Sequence, residues 1–74
     1  MAEVKQLLVQ TTNPEMLDDI LQHFRSALEQ DSDGSYVMEG DWYVARVFGD
    51  VDFVRFALET QGYAKVGQMR DLQS

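Results

Sequence analysis

Apolar residues recur in two rhythms along this chain, every second position in some stretches and every third or fourth in others. From Val4 to Thr11, Leu7 and Val9 alternate with Gln6 and Gln10, which predicts a strand with one buried face. Thr12-Asn13-Pro14-Glu15 then reads as a helix start. Asn13 can cap with Pro14 at the first helical position, or Thr12 and Glu15 can form a reciprocal capping box. Beyond it Leu17, Ile20, Leu21, Phe24 and Leu28 follow helical spacing and predict one apolar stripe, flanked by Met16 and Ala27. Asp18, Asp19, Gln22, Arg25, Ser26 and Glu29 fall on the opposite face. The polar run Asp31-Ser32-Asp33-Gly34-Ser35 has turn chemistry, so the helix is expected to extend to about that point.

Tyr36–Glu39 and Trp42–Phe48 are rich in aromatic and β-branched residues. Gly40-Asp41 between them suits a two-residue turn, which predicts an antiparallel hairpin. Asp50 can cap a second helix running to Gln61, with Asp52 near the positive end of its dipole. Val51, Val54, Ala57 and Leu58 form its core stripe, with Phe53 at the edge, and Gly62 is placed to terminate it. Tyr63–Val66 is expected to return as a last strand. The segment from 67 to 74 either frays as a tail or extends that strand through Met69 and Leu72.

Residues 1–74 therefore read as a single small acidic α+β domain in the order strand, helix, strand, strand, helix, strand. This is the ferredoxin-like βαββαβ order, a two-layer sandwich with an antiparallel sheet and two helices on one face. Its usual strand order, 4-1-3-2, is the expected one. An arrangement of three strands and two helices follows instead if Tyr63 onward is not ordered.

A two-residue hairpin pairs Glu39 with Trp42, Met38 with Tyr43 and Val37 with Val44, and paired residues share a face. Tyr36, Met38, Tyr43, Ala45 and Val47 then join Leu7 and Val9 under the helices. Val37, Glu39, Trp42, Val44, Arg46 and Phe48 join Gln6, Leu8 and Gln10 on the open face. The apolar group Trp42, Val44, Phe48 and Leu8 on that face makes it a candidate interaction surface, unless the C-terminal tail covers it or a slipped register makes it the core. On the second helix, periodicity points Phe56 outward beside Asp52, Glu59 and Thr60.

Composition changes the picture mainly through charge. Thirteen Asp and Glu against six Lys and Arg give a formal net charge of −7, which disfavours direct nucleic-acid binding and anionic membranes and favours a protein partner with a basic surface. With no cysteine, a disulfide framework and thiolate chemistry are excluded. No stretch has the length and hydrophobicity of a membrane span or a signal peptide, so a cytoplasmic location is expected.

Candidate chemistry is sparse. His23, the sole histidine, flanks the first helix's apolar stripe and reads as a boundary packing residue. Asp31-Ser32-Asp33-Gly34-Ser35 resembles the opening of a calcium loop, but Trp42 stands where that loop requires its bidentate Glu. No glycine elbow surrounds Ser26, Ser32, Ser35 or Ser74, and no glycine-rich phosphate cradle occurs. No catalytic, cofactor-binding or metal site is expected. Trp42–Phe48 resembles, over about seven residues, the third-strand motif of RNA-recognition-motif domains, which stack bases on aromatics. The basic residue and glycines of that motif are replaced here by Gly40-Asp41-Trp42-Tyr43.

The expectation is therefore a non-enzymatic protein-binding module. One candidate surface is acidic: Asp18, Asp19, Glu29, Asp31, Asp33, Asp52 and Glu59. The other is apolar: Trp42, Val44, Phe48 and Phe56. In size and charge the chain is similar to small phage-encoded nucleic-acid mimics of the anti-CRISPR and anti-restriction kind, which implies inhibition of a nucleic-acid-binding partner. A regulatory or small-ligand domain that forms a homodimer through its open sheet face is the alternative.

Overall fold

A computed structural model describes residues 4–71 as a small α+β structure with a five-stranded antiparallel sheet and two helices. β1 spans Val4–Gln10, α1 Pro14–Gln22, β2 Ser26–Leu28, β3 Met38–Glu39, β4 Trp42–Phe48, α2 Val51–Gln61 and β5 Lys65–Asp71. The sheet order is β2-β4-β1-β5, and β3 also pairs with β4. Among the described residues no helix is long and apolar enough to cross a membrane.

Both helices start as their sequences dictate. The Asn13 side chain accepts the Met16 N–H at 3.1 Å with Pro14 following it, and Asp50 accepts the Phe53 N–H at 3.1 Å. Each cap satisfies an amide that the first helical turn leaves unbonded. Gly62 ends α2 at φ 71°, a left-handed conformation costly for a residue with a Cβ.

The end of α1 departs from expectation. The helix stops at Gln22, where the amides of His23, Phe24 and Arg25 bond to carbonyls three residues back, and Arg25 turns the chain with φ 57°. Phe24 is thus in a turn and Leu28 in a strand, although both still face the core. Ser26–Leu28 instead pairs with Ala45–Val47, satisfying an edge of β4 that a longer helix would leave open. Asp18 secures the substitution: its Oδ1 accepts the Leu28 N–H at 2.8 Å while Oδ2 accepts from Gln22 at 3.3 Å.

Beyond Leu28 the edge is interrupted. Glu29 N–H bonds to Val44 O, Val37 N–H to Glu29 O and Val44 N–H to Val37 O, so the segment between Glu29 and Val37 leaves the sheet and returns to it. Within that excursion Gln30 bridges to Tyr36. Tyr36–Glu39 consequently enters the ladder as strand only at Met38–Glu39. The hairpin register is as expected, with Met38 opposite Tyr43 and Glu39 opposite Trp42, but Met38 is 46% exposed rather than packed under the helices. At the other edge β5 runs on to Asp71 rather than ending at Val66, so 67–71 is strand; Leu72 lies outside the described residues.

The core comprises Leu7, Val9, Leu28, Ala45 and Val47 from the sheet, Leu17 and Leu21 from α1, and Val51, Val54 and Leu58 from α2. Each of the larger side chains contributes roughly 1.5–3 kcal/mol by leaving water. Both helices therefore cover the same sheet face.

If Asp18 holds β2 in place, Asp18→Ala should lose about 1.5–3 kcal/mol, the range for a bond to a charged group. Asp18→Asn, which keeps the acceptor, should lose less. Urea unfolding measures both; unchanged stability in Asp18→Ala would assign the side chain to the surface alone.

Candidate functional site

The sheet face away from the helices carries four rows of side chains defined by register, the first of them Val4 opposite Phe48. Ala27, Arg46, Gln6 and Arg70 lie across the sheet in the second, from β2 through β4 and β1 to β5. Val44 and Leu8 form the next, and on β5 the register shifts between the partners of Leu7 and Val9, leaving Gly67 and Gln68 opposite Leu8. Glu39 pairs with Trp42 and Gln10 with Lys65 in the fourth.

This face closes on itself. A Cβ on Gly67 would stand 2.7 Å from the Trp42 ring, so the indole, rooted on β4, crosses β1 to rest on bare backbone in β5. Arg70 of β5 reaches the opposite way, over β1 and β4, to bond with Glu39 of β3. That bond favours the charged guanidinium and raises the Arg70 pKa, while its Nε is buried with no hydrogen-bond partner. Glu29 anchors the second row, accepting from Gln6 at 2.6 Å and lying 3.6 Å from Arg46. Beneath these spans Val44 is 1% exposed and Leu8 9%. Val44 therefore offers no surface, Trp42 is half-buried, and Phe48 alone of the apolar sheet candidates is substantially open, at 44%.

The acidic candidates are dispersed. Glu29, expected on the first helix, follows β2 and lies on the sheet face opposite the helices, held by Gln6 and Arg46. Asp18 is occupied by Leu28 N–H. Asp33 accepts the Ser35 N–H at 2.9 Å, and hydrogen bonds from Ser35 hold its carboxyl below the ordinary range. Glu59 lies 3.6 Å from Arg55 one helical turn away. Asp19, Asp31 and Asp52 are exposed. Around Tyr36 the negative charge is concentrated: burial first, then Asp18 and Glu15, push its phenol pKa up. Among the described residues no group of three or more His, Cys, Asp or Glu is arranged to hold a metal.

Comparison with protein-family models, with curated proteins and with solved structures gives no match.

The helical layer is the more open side. Val51, Val54 and Leu58 point α2 into the core, which leaves Phe56 outward at 65% exposure and Phe53 beside it at 55%. Asp52 and Glu59 share the exposed arc with Phe56. Phe53 also meets Phe24 edge-to-face, with ring centroids 5.7 Å apart, although it was expected only at the edge of the core stripe. The two rings line a groove with His23, Arg25, Asp50 and Val54. Sequence reasoning missed this groove because it placed Phe24 and Arg25 on a continuous helix; Phe53 next to a capping Asp50 was its one visible sign.

Gly67→Ala should force the indole off β5, expose Leu8 and Val44, and cost about 1–3 kcal/mol, with a red-shifted Trp42 emission. Native fluorescence and unchanged stability would refute the closed face. Tyr36 gives a pH signature: its raised pKa means that the unfolded chain releases the phenolic proton first. Its contribution is fully present below the ordinary tyrosine pKa and is lost as pH rises through the folded value. Tyr36→Phe should flatten the alkaline limb of the stability profile measured by thermal melting.

Proposed function

We propose that this protein is a non-enzymatic protein-binding module that engages a partner with a basic surface through its helical layer, with Phe56 as the apolar anchor and Asp52 and Glu59 as an acidic rim. The observation that carries the reading is the contrast between the two sides of the molecule. Leu8 and Val44 on the bare sheet face are covered by the protein's own Trp42 and Arg70, whereas two adjacent phenylalanines on α2 face water at 55% and 65% exposure. Exposed aromatics ringed by polar groups are the arrangement that concentrates binding energy at interfaces. The same contrast weighs against dimerisation through the sheet, since Val44 is already desolvated and Trp42 is engaged at Gly67.

Within this reading the fold is a ferredoxin-like βαββαβ sandwich in which β2 and β3 together serve as one interrupted edge strand. The partner class is a nucleic-acid-binding protein, inhibited when the carboxylates of Asp19, Asp31, Asp52 and Glu59 take up positions that phosphates would otherwise occupy. The net charge of −7 supports this through long-range attraction, which steers association and is screened by salt.

The test is capture of partner by the immobilised chain along a salt series, with duplex DNA as competitor. Capture should fall steeply between about 50 and 500 mM salt, be displaced by the DNA, and be lost on combined Asp52→Lys and Glu59→Lys reversal. Phe56→Ala should weaken it by about tenfold or more, the range for a buried aromatic anchor. A partner retained at high salt by every variant would reject the proposal.

A further inference from the structure

Four arginines lie among the described residues, and three of them are neutralised within the chain. Arg46 meets Glu29, Arg55 meets Glu59 and Arg70 meets Glu39. Arg25 is exposed and has no side-chain hydrogen bond or ion pair among the described residues, although acidic residues outnumber basic ones two to one in the sequence. It is also the one described non-glycine residue with positive φ, 57°. A glycine there would turn the chain with less strain, but would bring no guanidinium.

Arg25 lines a groove of about 270 Å³ together with His23, Phe24, Asp50, Phe53 and Val54. The Phe24 and Phe53 rings supply the apolar floor. The carboxylate of Asp50 is turned to the Phe53 N–H as the α2 cap, so it does not neutralise Arg25 by direct pairing. The second groove, beside β2, differs on this point: its arginine, Arg46, is bound to Glu29, which lines the same groove.

From this charge complementarity we infer that the groove between the end of α1 and the start of α2 binds an acidic, apolar peptide segment of a partner protein, which seats a bulky side chain on Phe24 and Phe53 and a carboxylate on Arg25. The inference rests on the protein-binding reading above and deepens it. Phe53 lines the groove and neighbours Phe56, so the partner presents a bipolar surface, with its acidic group at Arg25 and its basic groups at Asp52 and Glu59.

The test uses the full chain, isotope-labelled for NMR, and two blocked synthetic pentapeptides. Each has phenylalanine before and leucine after a central residue that is glutamate in one and lysine in the other. The glutamate peptide should shift the amide resonances of Phe24, Arg25, Phe53 and Val54 saturably, at least about fivefold more tightly than the lysine peptide. Arg25→Glu should invert that order. Arg25→Gly should abolish the preference while the melting midpoint stays the same or rises, because glycine suits the left-handed turn. Equal binding of the two peptides, binding of neither, or a glutamate preference that survives in Arg25→Gly overturns the inference. The titration reads the groove with no partner present, so its failure leaves partner capture standing, and failure of capture leaves the groove.

Discussion

The contact on which the arrangement depends most is the Trp42 indole lying on Gly67. A chain of this size has two helices to spend on its sheet, and both cover one face. The other face still carries Leu8 and Val44, which must be kept from water by side chains alone. The indole is large enough to cross a strand, but only a residue without a Cβ leaves room for it to land. The register shift opposite Leu8 positions that glycine, and the Arg70–Glu39 span closes the row from the opposite side. With Leu8 and Val44 covered, the two most exposed large apolar side chains are Phe53 and Phe56, both on α2.

Much of this was legible where a local interaction settles the structure. Asn13, Asp50 and Gly62 mark helix ends through bonds made within a few residues, and Gly40-Asp41 sets the register from Glu39–Trp42 onward. Phe56 points outward because the α2 stripe is unambiguous. The end of α1 was not legible in the same way. Phe24 and Leu28 continue a helical spacing, yet four residues is also two full alternations of a strand, so both geometries keep the two on one side. The choice was made by β4, whose edge at Ala45–Val47 lacked a partner, and by Asp18 reaching the Leu28 amide across ten residues. Neither contact leaves a mark in a local window. The Trp42–Gly67 stack is equally non-local, linking two strands that are not neighbours in the sheet.

Net charge proves a coarser guide than the placement of each carboxylate. Asp18, Glu29, Asp33, Glu39 and Glu59 all hold hydrogen bonds or ion pairs inside the chain, so a substantial part of the acidic complement serves the fold. Their bonds position β2, the open face and the turn after it. What is left uncommitted is the exposed remainder, Asp19, Asp31 and Asp52 among them. An acidic protein can thus be read as a mimic of a polyanion only after the carboxylates committed to its own architecture have been subtracted.

The rotation of α2 links the two surfaces that remain. Val51, Val54 and Leu58 set which way the helix faces, and from that single orientation Phe56 points straight outward while Phe53, three residues earlier, leans toward the end of α1. Phe53 then meets Phe24 only because α1 stops at Gln22 and Arg25 turns the chain, which also sets Arg25 in the lining of the same groove. Had α1 run its full apolar stripe, Phe24 and Arg25 would have stood on a straight helix and β4 would have lost its edge partner. The early end of that helix therefore does two things at once: it completes the sheet, and it puts a cation beside the aromatic pair on an otherwise acidic molecule.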